Sequence, residues 1–304
     1  VLKGSTVGSF YPMPEYRKSG DIDLWLRDIC TFDEEFEKAA AILERRGYQR
    51  DEKMDSRYHV GFVNSLGLEV ELHIKLTGDF SNQNVNDRVE DFTKEVRQKT
   101  PGIVRVLDTY EFPSLEGADL IFYNLLHMLH HFTTKGFGWK FICDWAMMFQ
   151  QEKSSDERIR LFSLLEQARL LDFAEAVSLL AVNYMGLDRT RVEFLISGQI
   201  SENVILHMAE EIFEAGEFGT RDHTRMLRPE SSSIFGLVKL FHLQMKKNYP
   251  MASKCFLLWI VLWPATLVKF MYNNKHVRNV STLDVVKEAK KRGKTTESLN
   301  LYKR

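Results

Sequence analysis

Three short stretches of this chain carry residue types that could do chemistry together. The first is Leu2-Lys3-Gly4-Ser5, a small turn where backbone N–H groups and a hydroxyl can approach a phosphate closely. The second is Asp21-Ile22-Asp23, separated from Ser5 by fifteen residues and followed by Leu24. On a strand, positions i and i+2 share a face, so both carboxylates project together while Ile22 turns the other way. Like charges that close repel unless a cation lies between them. Magnesium suits such an all-oxygen site, holding a few carboxylates together with phosphate oxygens. The third stretch, residues 68–74, puts Glu69, Glu71 and His73 on one face and Val70, Leu72 and Ile74 on the other. Beside the aspartates, it would add Glu71 as a third carboxylate and complete a two-metal clamp. Singly, each stretch has an ordinary explanation, since antiparallel sheets often have one solvated face. Their order favours the metal site.

The elements that must position these groups can be read from periodicity. Ile22, Leu24 and Leu26 alternate with Asp21, Asp23 and Trp25, as on a half-buried strand. Thr31 and Asp33 can cap a helix with the stripe Phe32, Phe36, Ala39, Ala40 and Leu43, ending at Gly47. Residues 58–64 and 68–76 read as a hairpin across Ser65-Leu66-Gly67. Residues 1–3 read as a short strand, 87–99 as a surface helix and 103–107 as a further strand. Beyond Pro113 and Ser114, helical periodicity dominates, at 115–132, 139–150, 159–171, 174–185, 204–213 and 235–245. The expected class is α+β: a small mixed-sheet domain over 1–113, then an all-helical domain over 114–304 that lines the cleft and ends in a basic tail.

Composition narrows the classes. The 304 residues hold 41 Lys+Arg and 42 Asp+Glu, are 44% hydrophobic, and so exclude disorder and collagen-like sequence. A net charge of −1 gives no basic excess and argues against long nucleic acid as substrate. Cys30, Cys143 and Cys255 are too scattered for a disulfide framework, which makes a reducing, cytoplasmic setting the default. Residues 1–5 lack the basic-then-apolar order of a signal peptide. Residues 255–268 are strongly apolar, but Lys269 ends the run short of the roughly 20 residues a membrane span needs. A buried helix kinked at Pro264 is favoured there, with membrane-surface contact as the sharper alternative. Residues 275–304 hold nine Lys/Arg and three Asp/Glu, read as a solvated tail frayed at its end, or as a site for an acidic or phosphate-bearing partner.

The order Gly-Ser, Asp-x-Asp, later acidic strand resembles the polymerase-beta-type nucleotidyltransferase superfamily. More narrowly, Leu2-Lys3-Gly4-Ser5, Tyr11-Pro12, Pro14, Arg17 and Gly20-Asp21-Ile22-Asp23-Leu24, with Glu71-Leu72-His73, resemble the family of uncharacterised bacterial nucleotidyltransferases. His130, His131 and Asp144 on helices, Tyr249-Pro250 and the segment 259–263 extend the likeness. The resemblance implies transfer of a nucleoside monophosphate from a nucleoside triphosphate, ATP for choice, to a hydroxyl of a small molecule or protein, with release of pyrophosphate. Asp21 and Asp23 would then hold two Mg²⁺ (or Mn²⁺) ions, and Glu71 the catalytic one. Glu71 could also help remove the acceptor proton. Gly4 and Ser5 would cradle the β- and γ-phosphates. Arg17 would neutralise phosphate charge or, equally, clamp the long loop. Lys3 departs from the superfamily at large, where an apolar residue is usual. A catalytically weak nucleotide-binding module is the alternative from another class.

Other groups are less specific. His127 and His131 are one helical turn apart, a zinc-compatible spacing, but no carboxylate or cysteine joins them at suitable spacing. One of the histidines, His131 among them, faces the nucleotide cleft, or the cluster simply packs. Lys140 contacts the triphosphate or faces solvent, and Asp144 touches substrate or holds a helix–helix hydrogen bond. Met147, Met148 and Phe149 are core. Residues 216–222 read as an inter-helix turn, with a ligand loop as the minority reading. No phosphate loop, dinucleotide fingerprint, nucleophile elbow or kinase signature is present.

Overall fold

The computed structural model describes residues 1–107, 109–134, 136–216, 223–253 and 255–303. The reading of 216–222 as a turn therefore lies, beyond Gly216, outside the described residues. In chain order the elements are a one-turn helix α1 (Ser5–Gly8), β1 (Asp21–Trp25), α2 (Glu34–Arg45), β2 (Tyr48–Arg50), β3 (His59–Asn64), β4 (Glu69–His73), α3 (Gln83–Gln98), β5 (Gly102–Val106) and β6 (Tyr110–Ser114). Helices follow: α4 (Gly117–Thr133), α5 (Trp139–Gln150), α6 (Ser155–Gln167), α7 (Leu171–Met185), α8 (Glu202–Ala215), α9 (Ile234–Asn248), α10 (Trp259–His276) and α11 (Thr282–Ser298). The α+β class expected from the pattern is what the chain adopts.

Two compact units are formed. One comprises residues 1–127, 143–168 and 181–194; the other comprises 128–142, 169–180 and 195–304. In the first, a four-stranded sheet has the order β1-β4-β3-β2, with β1 parallel to β4 and the remaining pairs antiparallel. A separate hairpin joins β5 to β6.

The alternation read from the sequence is realised across three strands. Ile22 pairs with Val70 and Leu24 with Leu72, while Phe62 and Val60 pair with the same two positions from the other side. These side chains form the back face, packed with Phe36 and Ala40 of α2. Burial of each large apolar side chain contributes roughly 1.5–3 kcal/mol, which is what fixes the opposite face outward. Helix α2 starts where Asp33 accepts hydrogen bonds from the N–H groups of Glu35 (3.1 Å) and Phe36 (3.2 Å). The β3–β4 register is set by its turn: Asn64 Oδ1 accepts from the N–H groups of Leu66 and Leu68, and Gly67 takes φ +77°.

Several expectations are corrected. Residues 1–3 are not a strand; the N–H of Leu2 donates to the Asp23 carbonyl at 3.0 Å, and Gly4 at φ +71° then bends the chain into α1. The helix expected over 159–171 is shifted: α6 begins at a capping box of Ser154 and Glu157 and ends at Gln167, and Arg169 at φ +55° separates it from α7, the helix expected over 174–185. Short strands β2 and β6 escaped the periodicity.

The segment around 255–268 is not buried. The helical stretch Phe256–His276 is 21 residues long and, by length and composition, apolar enough to cross a membrane. Ile260, Val261 and Val268 are 76%, 67% and 66% exposed; of α10, Thr266 and Asn274 are buried. Apolar residues lie all around α10, so no packing against one neighbour could cover them. Nor is the basic tail a frayed one: Val285, Ala289 and Leu299 are buried and so is the guanidinium of Arg292.

Candidate metal centre

The front face of the sheet gathers the predicted carboxylates. The parallel register places Asp21 opposite Glu69, Asp23 opposite Glu71 and Trp25 opposite His73. Oxygen atoms of Asp21, Asp23 and Glu71 lie within 4.8 Å of one another. Asp23 is fully buried, while Asp21 and Glu71 are partly exposed.

Three negative charges at that separation need compensation, and two side chains supply it. Lys3 Nζ lies 3.1 Å from Asp21 Oδ2 and 2.8 Å from Asp23 Oδ2. Burial works against the ammonium charge, but Asp23 and Asp21 more than offset it, and the lysine pKa is raised. His73 Nε2 lies 3.1 Å from both Asp23 Oδ1 and Glu71 Oε2. Desolvation again opposes the charge, and the bonds to Asp23 and Glu71 outweigh it, raising His73 to about 9. Asp23 is correspondingly held below the usual carboxylate range: its burial is overcome by Lys3 and by His73. The donor set fits a hard divalent cation. Ligands on opposite sides of an ion with bonds of about 2.1 Å stand about 4.2 Å apart, so only small side-chain shifts are needed.

The turn beside this cluster is tightly built. A Cβ on Gly4 would stand 3.0 Å from Ser19 Oγ, and its positive φ is costly for other residues. Thr6 Oγ1 and Ser114 Oγ are 2.9 Å apart, anchoring α1 to the end of β6. Arg17 uses Nε and Nη2 to grip both carboxylate oxygens of Asp144 at 2.7 Å, and donates from Nη1 to the Gly4 carbonyl at 3.0 Å. Tyr11 donates to Asp144 at 2.7 Å. Desolvation of Arg17 is outweighed by its bonds to Asp144, so its pKa is raised and its charge secure. This is the loop clamp read as one role of Arg17, and it gives Asp144 a loop rather than another helix to hold.

His127 stacks near Tyr123 in the first unit, whereas His130, His131 and Lys140 belong to the second, where His131 lies 5.1 Å from the Phe141 ring. Sequence reasoning missed His59. It pairs with His73 across the hairpin, and its Nδ1 is 3.5 Å from Glu71 Oε2. The hairpin itself was legible, and its register, once the three-residue turn is counted, places position 59 opposite 73.

A family model described as uncharacterised nucleotidyltransferases matches residues 1–186. The chain belongs to that family. The match runs through the turn, the Asp-x-Asp strand, the Glu71 strand and Asp144; Tyr249-Pro250 and the segment 259–263, which extended the resemblance, lie beyond it. Neither a curated protein nor a solved structure matches the chain. Membership in this nucleotidyltransferase family supports nucleotidyl transfer as the general chemistry, and the acidic cluster is of a kind that can hold metal.

Proposed function

We propose that this nucleotidyltransferase is an enzyme that moves a nucleoside monophosphate from a nucleoside triphosphate, ATP for choice, to a hydroxyl of a small molecule or protein, releasing pyrophosphate. The observation that carries the reading is the convergence of Asp21, Asp23 and Glu71 beside the Gly4 bend. Folding alone does not require three clustered carboxylates, one of them fully buried. In this reading residues 1–113 carry the chemistry, and Asp21, Asp23 and Glu71 hold Mg²⁺ or Mn²⁺. Ions bound there would offset the charge of the departing pyrophosphate and acidify the acceptor hydroxyl.

The chain's own groups do the rest. Glu71, the more accessible of the two residues flanking His73's proton, is placed to accept the acceptor's proton. Gly4 and Ser5 bring backbone N–H groups and a hydroxyl close to the β- and γ-phosphates, at a bend where a Cβ on residue 4 would crowd Ser19. With cations held by Asp21 and Asp23, the Lys3 ammonium, which now stands between those two carboxylates, would be free to pair with the triphosphate. Arg17, held by Asp144, keeps the loop between Ser5 and Asp21 in the shape that presents this turn.

Incubation with α-phosphate-labelled nucleotide and Mg²⁺, followed by separation of labelled species from a cell extract, tests the proposal. Glu71→Gln is expected to lower transfer by at least about 10³-fold, as loss of a metal-held charge worth several kcal/mol demands. Circular dichroism of the variant should match the wild type. Undiminished labelling by a folded Glu71→Gln protein would overturn the assignment. Nucleotide-dependent stabilisation without transfer to any acceptor would instead favour the regulatory binding module.

A further inference from the structure

The same face of the sheet carries a second donor set that mixes nitrogen with oxygen. His59 and His73 are cross-strand partners, and Glu71 precedes His73 by two residues, so all three point to one side. One donor atom from each lies within 4.8 Å of the others.

The state of His59 is the telling observation. The residue is 8% exposed, and its Nε2 lies 2.8 Å from the Met54 carbonyl. A carbonyl oxygen can only accept, so Nε2 carries the proton. The other nitrogen, Nδ1, is buried, makes no hydrogen bond and faces Glu71 Oε2 at 3.5 Å. A lone pair aimed at a carboxylate is repelled by it unless a cation stands between them. A ring nitrogen fixed by a backbone carbonyl, with its partner left bare, is the usual arrangement of a metal-binding imidazole. The chain makes room for that carbonyl: a Cβ on Gly61 would stand 2.3 Å from Met54 Cβ, so only glycine lets the Met54 loop lie over β3.

We propose that His59 Nδ1, His73 Nε2 and the Glu71 carboxylate form a second metal site, selective for a divalent first-row transition ion that accepts imidazole. Magnesium takes oxygen ligands and suits the aspartate pair; imidazole nitrogens suit zinc, cobalt or iron. The two donor sets meet at Glu71, whose two oxygens allow one carboxylate to serve both. His73 gives up its Nε2 proton on binding, so uptake of the ion releases a proton to solvent. The site goes beyond the transfer reading, which needs oxygen donors alone.

The test uses the full chain, stripped of metal by a chelator and titrated with Co²⁺ alone or Mg²⁺ alone. Proton NMR of the Co²⁺ form is expected to show two strongly shifted, exchangeable imidazole N–H signals. His59→Gln should remove one of them and weaken Co²⁺ binding by at least about tenfold, while Mg²⁺ binding changes less than about twofold. Absence of shifted imidazole signals in the wild type would overturn the inference, and so would equal weakening of both ions in His59→Gln. Should that variant fail to fold, the wild-type spectrum decides alone. Shifted signals in a protein that transfers no nucleotide would sink the transfer reading and leave this one standing.

Discussion

Both compact units bury charge, but they neutralise it in different ways. In the first, three carboxylates converge on Lys3 and His73, the charges are predominantly negative, and His59 keeps a bare nitrogen aimed into the cluster. In the second, Glu211 accepts from Arg228 and from Thr295, and Arg225 donates to the Glu211 carbonyl. Arg292 is tied to the carbonyls of Phe132, Thr134, Arg225 and Leu227, and Arg228 lies 3.7 Å above the Phe132 ring. There Arg292 is held by backbone oxygens that cannot leave, while Arg228 and Arg225 pair with the carboxylates of Glu211 and Glu214 inside the same cluster. In the first unit the cations stand against side chains that an external cation could claim. The contrast separates a charge cluster built to hold a fold from one built to be refilled.

Removing one cation from each cluster is the strongest way to break this comparison. Lys3→Met and Arg292→Met are each expected to cost about 3–5 kcal/mol in chelator, because buried charges or carbonyls lose their partner. Saturating Mg²⁺ should restore most of the loss in Lys3→Met and none in Arg292→Met, read from urea unfolding midpoints with and without the ion. Rescue of both, or of neither, would erase the distinction. A smaller effect is expected at the loop that fixes His59. Gly61→Ala should cost about 1–3 kcal/mol, since Met54 must move to admit the new methyl, and the change should appear as a lower melting temperature.

The smallest effect at neutral pH comes from Glu211. Burial would raise its pKa, but Arg228 and Thr295 outweigh that and hold it below the ordinary value of 4.5. A carboxyl with a depressed folded pKa stabilises fully above its unfolded pKa and loses that contribution as pH falls through the folded one. Unfolding midpoints should therefore be insensitive to this group near neutrality and decline once pH drops below about 4.5. A flat acid limb would show that Glu211 is not held by Arg228.

How much of this was legible beforehand differs by element. The alternation of Ile22, Leu24, Val70 and Leu72 against Asp21, Asp23, Glu71 and His73 is a period-2 signal, and the sheet obeyed it. The capping of α2 by Asp33 and the turn at Asn64–Gly67 follow from local chemistry, and both were found or nearly so. The missed strands β2 and β6 are short, with Pro113 inside the second, and a few residues give periodicity too little to work on. Residues 255–268 misled because a run of apolar types was taken for a buried helix. Nothing in such a run says whether neighbours will cover it.

Local order along the chain was enough to establish the class of fold, the family and the three acidic positions, because strand alternation and turn chemistry act over a few residues at a time. Contacts between distant segments settled the rest: Lys3 between two aspartates, Arg17 on Asp144, and Arg292 on four carbonyls. Each depends on register and on chain returning from far away, and only the packed structure brings those atoms within bonding distance.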